Sequence, residues 1–333
     1  MPIKPICAAI VTAVTAALLA ASPFVQGEEV ALKAVTAWPK SNPGSQSFLR
    51  FIDKANKAGK GLFHINYIGG PEVTKPREQP NAMRNGLFDM MYGPGPYYSG
   101  LFPEVDFIQF TTPAEAHASG AFEMIRGVMK QKMAARFMGW FDSGLGLYLF
   151  TISEPKRTPS GGIDLTGLKM RSSPAYRNFI KDLGGTAIVM SPRDIYTALQ
   201  RGTIDGLGTG LQVLVDEKLE KFVKYRIEPP MSHTGIFMIM NQKVYDGLPK
   251  QARDLLDKLS ADWEVESRAF QAKKEGEHKA NLAAAGMKTI TLQEPEGKKF
   301  VALFRKGVWQ RMVKNEKIKI DLNKLKKMLN YEG

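Results

Sequence analysis

The chain has 333 residues, a formal charge of +13, one cysteine and four histidines. Its only cysteine, Cys7, lies in an N-terminal stretch expected to be removed, which excludes disulfides, thiol catalysis and thiolate metal sites. The four histidines (His64, His117, His233, His278) have no metal-ligand spacing. The basic balance admits nucleic acid or anionic lipid, but much of it lies in Lys314–Lys319 and Lys324–Lys327, interleaved with apolar residues as on solvated helix faces.

From the N-terminus, Lys4 supplies a short positive region and Ile6 to Ala21 an apolar run. Ser22, Pro23 and Val25-Gln26-Gly27 follow, and then the charges of Glu28 and Glu29. That order predicts a cleavable secretory signal over residues 1–27 and a periplasmic mature protein. The alternative, an uncut membrane anchor, is disfavoured because the run is short of the roughly 20 residues a spanning helix needs. About 300 residues remain, more than one core usually supports, and this suggests two lobes.

An internal echo points the same way. Ala82-Met83-Arg84-Asn85-Gly86-Leu87-Phe88-Asp89 returns as Ala198-Leu199-Gln200-Arg201-Gly202-Thr203-Ile204-Asp205, with Ala, Gly and Asp each recurring 116 residues later. Each copy closes a helix with a Gly suited to the left-handed C′ position and enters a strand through Asp. Upstream strands are expected at Phe63–Ile68 and Thr186–Met190, so each half carries strand, helix, strand. Two similar α/β lobes facing a cleft result, with Met91–Tyr98 and Leu207–Gly210 lining it from opposite sides. Neither segment is a phosphate loop.

Between the two copies, Asp164 opens a turn and Leu168-Lys169-Met170 reads as a strand, from whose carboxyl end Arg171 emerges. Ser173-Pro174 bends the chain, and Tyr176 to Leu183 forms a helix. Arg171 at a cleft offers a carboxylate two parallel charge-assisted hydrogen bonds. Alone, an Arg ending a strand is more often a surface or salt-bridge residue. Further on, Thr234–Met240 reads as a buried strand passing between lobes. Pro249 to Ala285 forms a long helix with Leu255, Leu256, Leu259, Trp263 and Phe270 near one face. A last helix runs from about Pro295 to Met312 with Phe300, Phe304 and Trp309 inward.

The segments Asp164–Arg171, Pro174-Ala175-Tyr176-Arg177, Leu183-Gly184, and Ile195–Gln200 through to Asp205-Gly206 resemble the signature of solute-binding proteins of TRAP (tripartite ATP-independent periplasmic) transporters, the DctP-like family. Gly69–Glu72, Asn85-Gly86, Met240-Asn241 and Tyr245–Pro249 share that character, so the likeness spans nearly the whole mature chain. The resemblance implies the α/β two-lobed periplasmic binding protein fold, with strands and a long helix crossing between lobes. We place lobe I at 28–152 plus about 238–270, and lobe II at 153–237 plus about 271–333. It implies a receptor for a small organic acid rather than an enzyme, partnered by small and large TRAP permease subunits. No cofactor or metal-ligand residue is assigned, although a carboxylate-bridging cation occurs in the family and nothing in the sequence specifies ligands for one. In the family the Arg at the position of Arg171 holds the acid's carboxylate.

Three departures shape the expected solute. Leu207-Gly208-Thr209-Gly210 stands where many members have Gln-Glu-Asn-Pro, so Thr209 replaces an Asn that helps bind the acid. Pro192 stands where many have an aromatic residue, and Gly146–Phe150 is aromatic and apolar where some carry a second Arg. One cationic anchor favours a monocarboxylate, and Trp38, Tyr97, Tyr98, Tyr148 and Phe150 suggest a partly apolar pocket for an aromatic or hydrophobic acid. Glu72 and Ser173 complete the expected contacts. The rivals are a receptor feeding a sensor and a periplasmic enzyme; against the latter, GxSxG and HExxH are absent, and Asp89 and Asp205 occupy equivalent strand starts. A nucleic-acid binder comes last.

Overall fold

The structure is a computed structural model that describes residues 29–173 and 175–332. The expected signal segment and Pro174 therefore lie outside the described residues. Strands follow in the order β1 (Val30–Thr36), β2 (Phe63–Gly69), β3 (Met90–Pro94), β4 (Ala135–Thr151), β5 (Lys156–Arg157), β6 (Ile163–Asp164), β7 (Lys169–Ser172), β8 (Thr186–Val189), β9 (Gly206–Gly210), β10 (Tyr225–Asn241) and β11 (Lys288–Thr291). Helices are α1 (Pro43–Ala58), α2 (Gln79–Arg84), α3 (Pro113–Ser119), α4 (Ala121–Met133), α5 (Arg177–Asp182), α6 (Ile195–Gln200), α7 (Leu211–Asp216), α8 (Gln242–Gly247), α9 (Lys250–Ala284), α10 (Glu296–Val313) and α11 (Leu322–Met328).

One sheet runs through the molecule in the order β2-β1-β3-β10-β4-β9-β7-β8, with β11 also on β10 and β5-β6 forming a separate pair. In lobe I, β1 lies parallel between β2 and β3; in lobe II, β7 lies parallel between β8 and β9. The expected echo is therefore a repeated fold unit. Its two left-handed glycines are Gly86 at φ 81° and Gly202 at φ 65°, conformations a side chain would strain. Asp89 Oδ2 accepts the Lys33 N–H at 2.7 Å, and Asp205 Oδ2 accepts the Lys169 N–H at 2.7 Å, so each strand entry is clamped to the first strand of its unit.

β4 and β10, 17 residues each, are long enough at about 56 Å to serve both lobes. Near the lobe I end β10 pairs with β3, and near the other end with β11, while β4 pairs with β9 only over Leu147–Thr151. The expected Thr234–Met240 strand is thus the second half of a longer one, and Arg171 sits within β7 rather than after it. Midway, β4 bulges: Phe141 pairs with Ile236 and Leu145 with Thr234, and the intervening Asp142 and Gly144 take φ of 45° and 86°. Gly235 is required opposite, because a Cβ there would stand 1.5 Å from Trp140 Nε1.

Helix α9, 35 residues and about 52 Å long, packs along β4. Its first half buries Leu256, Leu259 and Trp263 with Phe48, Phe51 and Tyr92 of lobe I; its far end buries Leu282 with Phe150, Leu199 and Leu207 of lobe II. Phe270, expected inward, is 41% exposed beneath the Arg50 guanidinium, because at this turn the helix leaves the lobe I core. Phe300 and Phe304 of α10 are buried as expected, whereas Trp309 is half-buried against Phe110 and Tyr331.

Candidate interlobe solute site

Parallel strands leave their carboxyl ends free to meet a ligand, and here the ends of β1 and β3 and the end of β9 open on one cavity of about 320 Å³. Lobe I contributes Trp38, Asn42, Pro94 and Tyr97. Lobe II contributes Thr209, Gly210 and the start of α7. The floor is the bulge of β4 with Thr234 and Ile236 of β10, and α9 passes alongside with Gln271, Lys274, Glu275 and His278.

Trp38 is fixed before any solute arrives. Its carbonyl accepts the Thr36 hydroxyl at 2.8 Å and the Ser45 hydroxyl at 3.2 Å, and its ring stands edge-on to Tyr92. Gly44 and Gly70 leave the room: a Cβ on Gly44 would meet the indole at 2.7 Å, and one on Gly70 the Trp38 carbonyl at 2.3 Å. Asn42 caps α1 by accepting the Gly44 N–H at 2.9 Å. Tyr97 is half-buried, with the Arg77 guanidinium 5.9 Å from its ring centre.

On the other side, Thr209 is buried and borders the cavity at the end of β9. Arg171 does not line it. Its Nη1 donates to the Tyr176 hydroxyl at 2.8 Å and its Nη2 to the Met190 carbonyl at 3.3 Å, while Nε is buried without an acceptor among the described residues. The Tyr176 hydroxyl in turn donates to the Gly208 carbonyl at 3.0 Å, one residue before Thr209. Arg171 is thus two hydrogen bonds and one residue from the cavity wall.

The remaining expected contacts lie elsewhere. Glu72 Oε1 accepts the Gly70 N–H at 2.7 Å and holds the turn beside Trp38. Tyr98 is buried against Gly93 with its hydroxyl unpartnered among the described residues, and desolvation raises that hydroxyl far above the ordinary tyrosine range. Tyr148 is buried with its hydroxyl on Glu275, a cavity residue; burial and that carboxylate raise its pKa strongly. Phe150 alternates into the lobe II core with Ile195 and Leu207, and Ser173 Oγ accepts the Ala175 N–H at 3.3 Å. Of the nine expected residues, the structure brings Trp38, Tyr97 and Thr209 together around the cavity.

Several lining residues were not anticipated. Gln271, Glu275 and His278 recur at helical spacing, the signal that one polar face of α9 crosses the gap between lobes. Asp142 is buried and accepts from the Ser47 hydroxyl at 2.9 Å and from Tyr92. Desolvation raises its pKa, opposed by hydrogen bonds from Tyr92, Gln271 and Ser47. Among the described residues no cluster of His, Cys, Asp and Glu could hold a metal ion, and no helix is long and apolar enough to cross a membrane.

Comparison with known proteins bears on this geometry. Residues 34–316 match the family described as bacterial extracellular solute-binding protein, family 7. A solute-binding protein of Albidiferax ferrireducens is 24% identical over 279 residues, covering 78% of each chain. A TRAP periplasmic solute-binding protein of Rhodobacter sphaeroides shares the fold at a TM-score of 0.78 and 15% identity, covering 91% of this chain and 98% of that one. DctP7, a Bordetella pertussis extracytoplasmic solute receptor binding pyroglutamic acid, does so at a TM-score of 0.69 and 18% identity, covering 90% and 99%.

Proposed function

Since the chain belongs to the bacterial extracellular solute-binding proteins of family 7, a family of receptors rather than enzymes, we propose that its cleft captures a small organic acid by its carboxylate, with Arg171 as the cationic anchor. The observation that carries this reading is the state of Arg171. It is 8% exposed and has no ion pair among the described residues, whereas Arg226, equally buried, faces Glu228 at 3.1 Å. A buried cation without a counter-charge is costly, and a solute carboxylate supplies one. Similarity to a receptor that binds pyroglutamic acid supports the same class.

A single anchor suits a monocarboxylate. Trp38, Pro94, Tyr97, Leu145 and Leu147 give its body an apolar surface, and Thr209 offers a hydroxyl. The solute favours closure only by binding the closed form better than the open one, which it achieves by touching Trp38 and Tyr97 on lobe I and Thr209 on lobe II, with its carboxylate reaching Arg171 behind the Thr209 wall. The lobes, 28–152 with about 238–270 and 153–237 with about 271–333, move about β4, β10 and α9. The closed receptor, exported to the periplasm, then delivers its solute to TRAP membrane subunits.

The test is a melting-temperature panel on the mature protein freed of bound ligand, with pyroglutamate, benzoate, succinate, D-glucuronate and glucose. Monocarboxylates are expected to raise the melting temperature most, and Arg171→Ala to weaken their binding by about 2–5 kcal/mol, roughly 30- to 4,000-fold in Kd. Stabilisation by glucose alone, or acid binding untouched by Arg171→Ala, overturns the reading.

A further inference from the structure

We propose that Tyr176 is the positioning residue for Arg171, fixing which edge of the guanidinium meets the solute and tying that edge to the cavity wall at Thr209. The inference rests on the carboxylate reading above and goes beyond it, because nothing in that reading requires a partner for the anchor.

The hydrogen bonds have one consistent direction. Arg171 Nη1 has only protons to give, so Tyr176 Oη accepts from it at 2.8 Å, and its own proton goes to the Gly208 carbonyl at 3.0 Å rather than to the Arg171 carbonyl at 3.5 Å. Tyr176 is itself packed in the core: it is 5% exposed, in the same core cluster as Met170, Phe179 and Met231. A Cβ on Gly208 would stand 3.0 Å from its ring, so β9 passes as close as a backbone can. Burial raises the hydroxyl's pKa, with Arg171 pulling the other way, and it keeps its proton for Gly208.

The consequence for the guanidinium is steric and directional. With Nη1 on Tyr176 and Nη2 on the Met190 carbonyl, both terminal nitrogens already have an acceptor, and Nε is the donor left without one among the described residues. Nε–H and the neighbouring Nη2–H form the side-on edge that takes both oxygens of a carboxylate. Fixing the fork beforehand removes ordering cost from binding. Because Gly208 precedes Thr209, the same hydroxyl sets the distance between the anchor and the lobe II wall of the cavity.

The test is a cycle of Tyr176→Phe, Arg171→Lys and the double variant, titrated with the monocarboxylates of the panel above, beside the Arg171→Ala control. Tyr176→Phe should bind about tenfold more weakly, the worth of one lost positioning hydrogen bond. Its melting temperature without solute should fall by only about 2–4 °C. In the Arg171→Lys background, which has no fork to position, the same change should have no further effect. A spectroscopic readout needs no solute: the Arg171 Nε–H resonance should exchange faster in Tyr176→Phe. Wild-type affinity in Tyr176→Phe while Arg171→Ala loses binding overturns the positioning role and leaves the carboxylate reading standing. Equal losses in both backgrounds also overturn it, since a structural defect would act on either side chain. Unchanged binding by Arg171→Ala removes the carboxylate reading and this proposal together.

Discussion

The two repeated units share a skeleton and differ at their lips. Each sets three parallel strands in the same order, turns from helix to strand at a left-handed glycine, and clamps the incoming strand with an aspartate on a backbone N–H at 2.7 Å. Register makes the comparison residue by residue: Ala34 and Val35 pair with Met90 and Met91 as Met170 and Arg171 pair with Gly206 and Leu207. Lobe I therefore has the apolar Val35 at the place where lobe II has Arg171. Glycine and aspartate carry what the units have in common, and the proposed anchor Arg171 lies where the register is shared but the side chain is not.

The largest expected effect comes from erasing that difference. Arg171→Val gives lobe II the residue of lobe I at the same register position. It should cost about 2–5 kcal/mol of affinity for a carboxylate solute, leave Tyr176 Oη without its donor, and change folding stability little. Isothermal titration checks the first and denaturant unfolding the last. If Arg171→Val bound acids normally, the asymmetry between the lobes would have to be explained by packing alone. A smaller effect tests what the units share. Asp89→Ala and Asp205→Ala each remove a carboxylate from one strand-entry N–H, and each should cost about 1.5 kcal/mol of stability. Losses differing by more than about 1 kcal/mol would show that the repeated clamp is not energetically repeated.

The sequence made the shared part legible and the different part only partly so. Gly86, Gly202, Asp89 and Asp205 stand out because backbone geometry demands those residue types, and the demand is local. Of the long crossing strands only the second half of β10, Thr234–Met240, was legible, and the rest was hidden for a physical reason. β4 contains Gly139, Gly144 and Gly146 with a bulge at Asp142, and β10 contains Pro229 and Pro230, all of which read as strand breaks. Only non-local pairing over both lobes overrides them. Arg171 carried no local signal beyond its strand end, and its role rested on resemblance. Tyr148 and Phe150 show the opposite failure: aromatic residues on a crossing strand suggested a pocket wall, but tertiary packing turned Phe150 into the lobe II core and Tyr148 onto Glu275.

The joint between the units offers the smallest and sharpest test. Asp142 belongs to the bulge where β4 passes from one unit to the other, and its carboxylate collects Ser47 of α1, Tyr92 of β3 and Gln271 of α9. Desolvation raises its pKa in the folded protein above the unfolded value of 3.8. The folded state then holds this proton where the unfolded state has released it, so stability from this group is greatest in acid and falls as pH rises through that window. Subtracting the unfolding free energy of Asp142→Asn from that of the native protein isolates the group. The difference should decline as pH rises above about 4, the unfolded value, and level off once the folded carboxylate has also ionised. A difference that rose with pH would mean that the three donors, not burial, dominate at Asp142. The joint would then be held tightest by an ionised carboxylate at neutral pH, and a rigid joint would oppose the proposed closure.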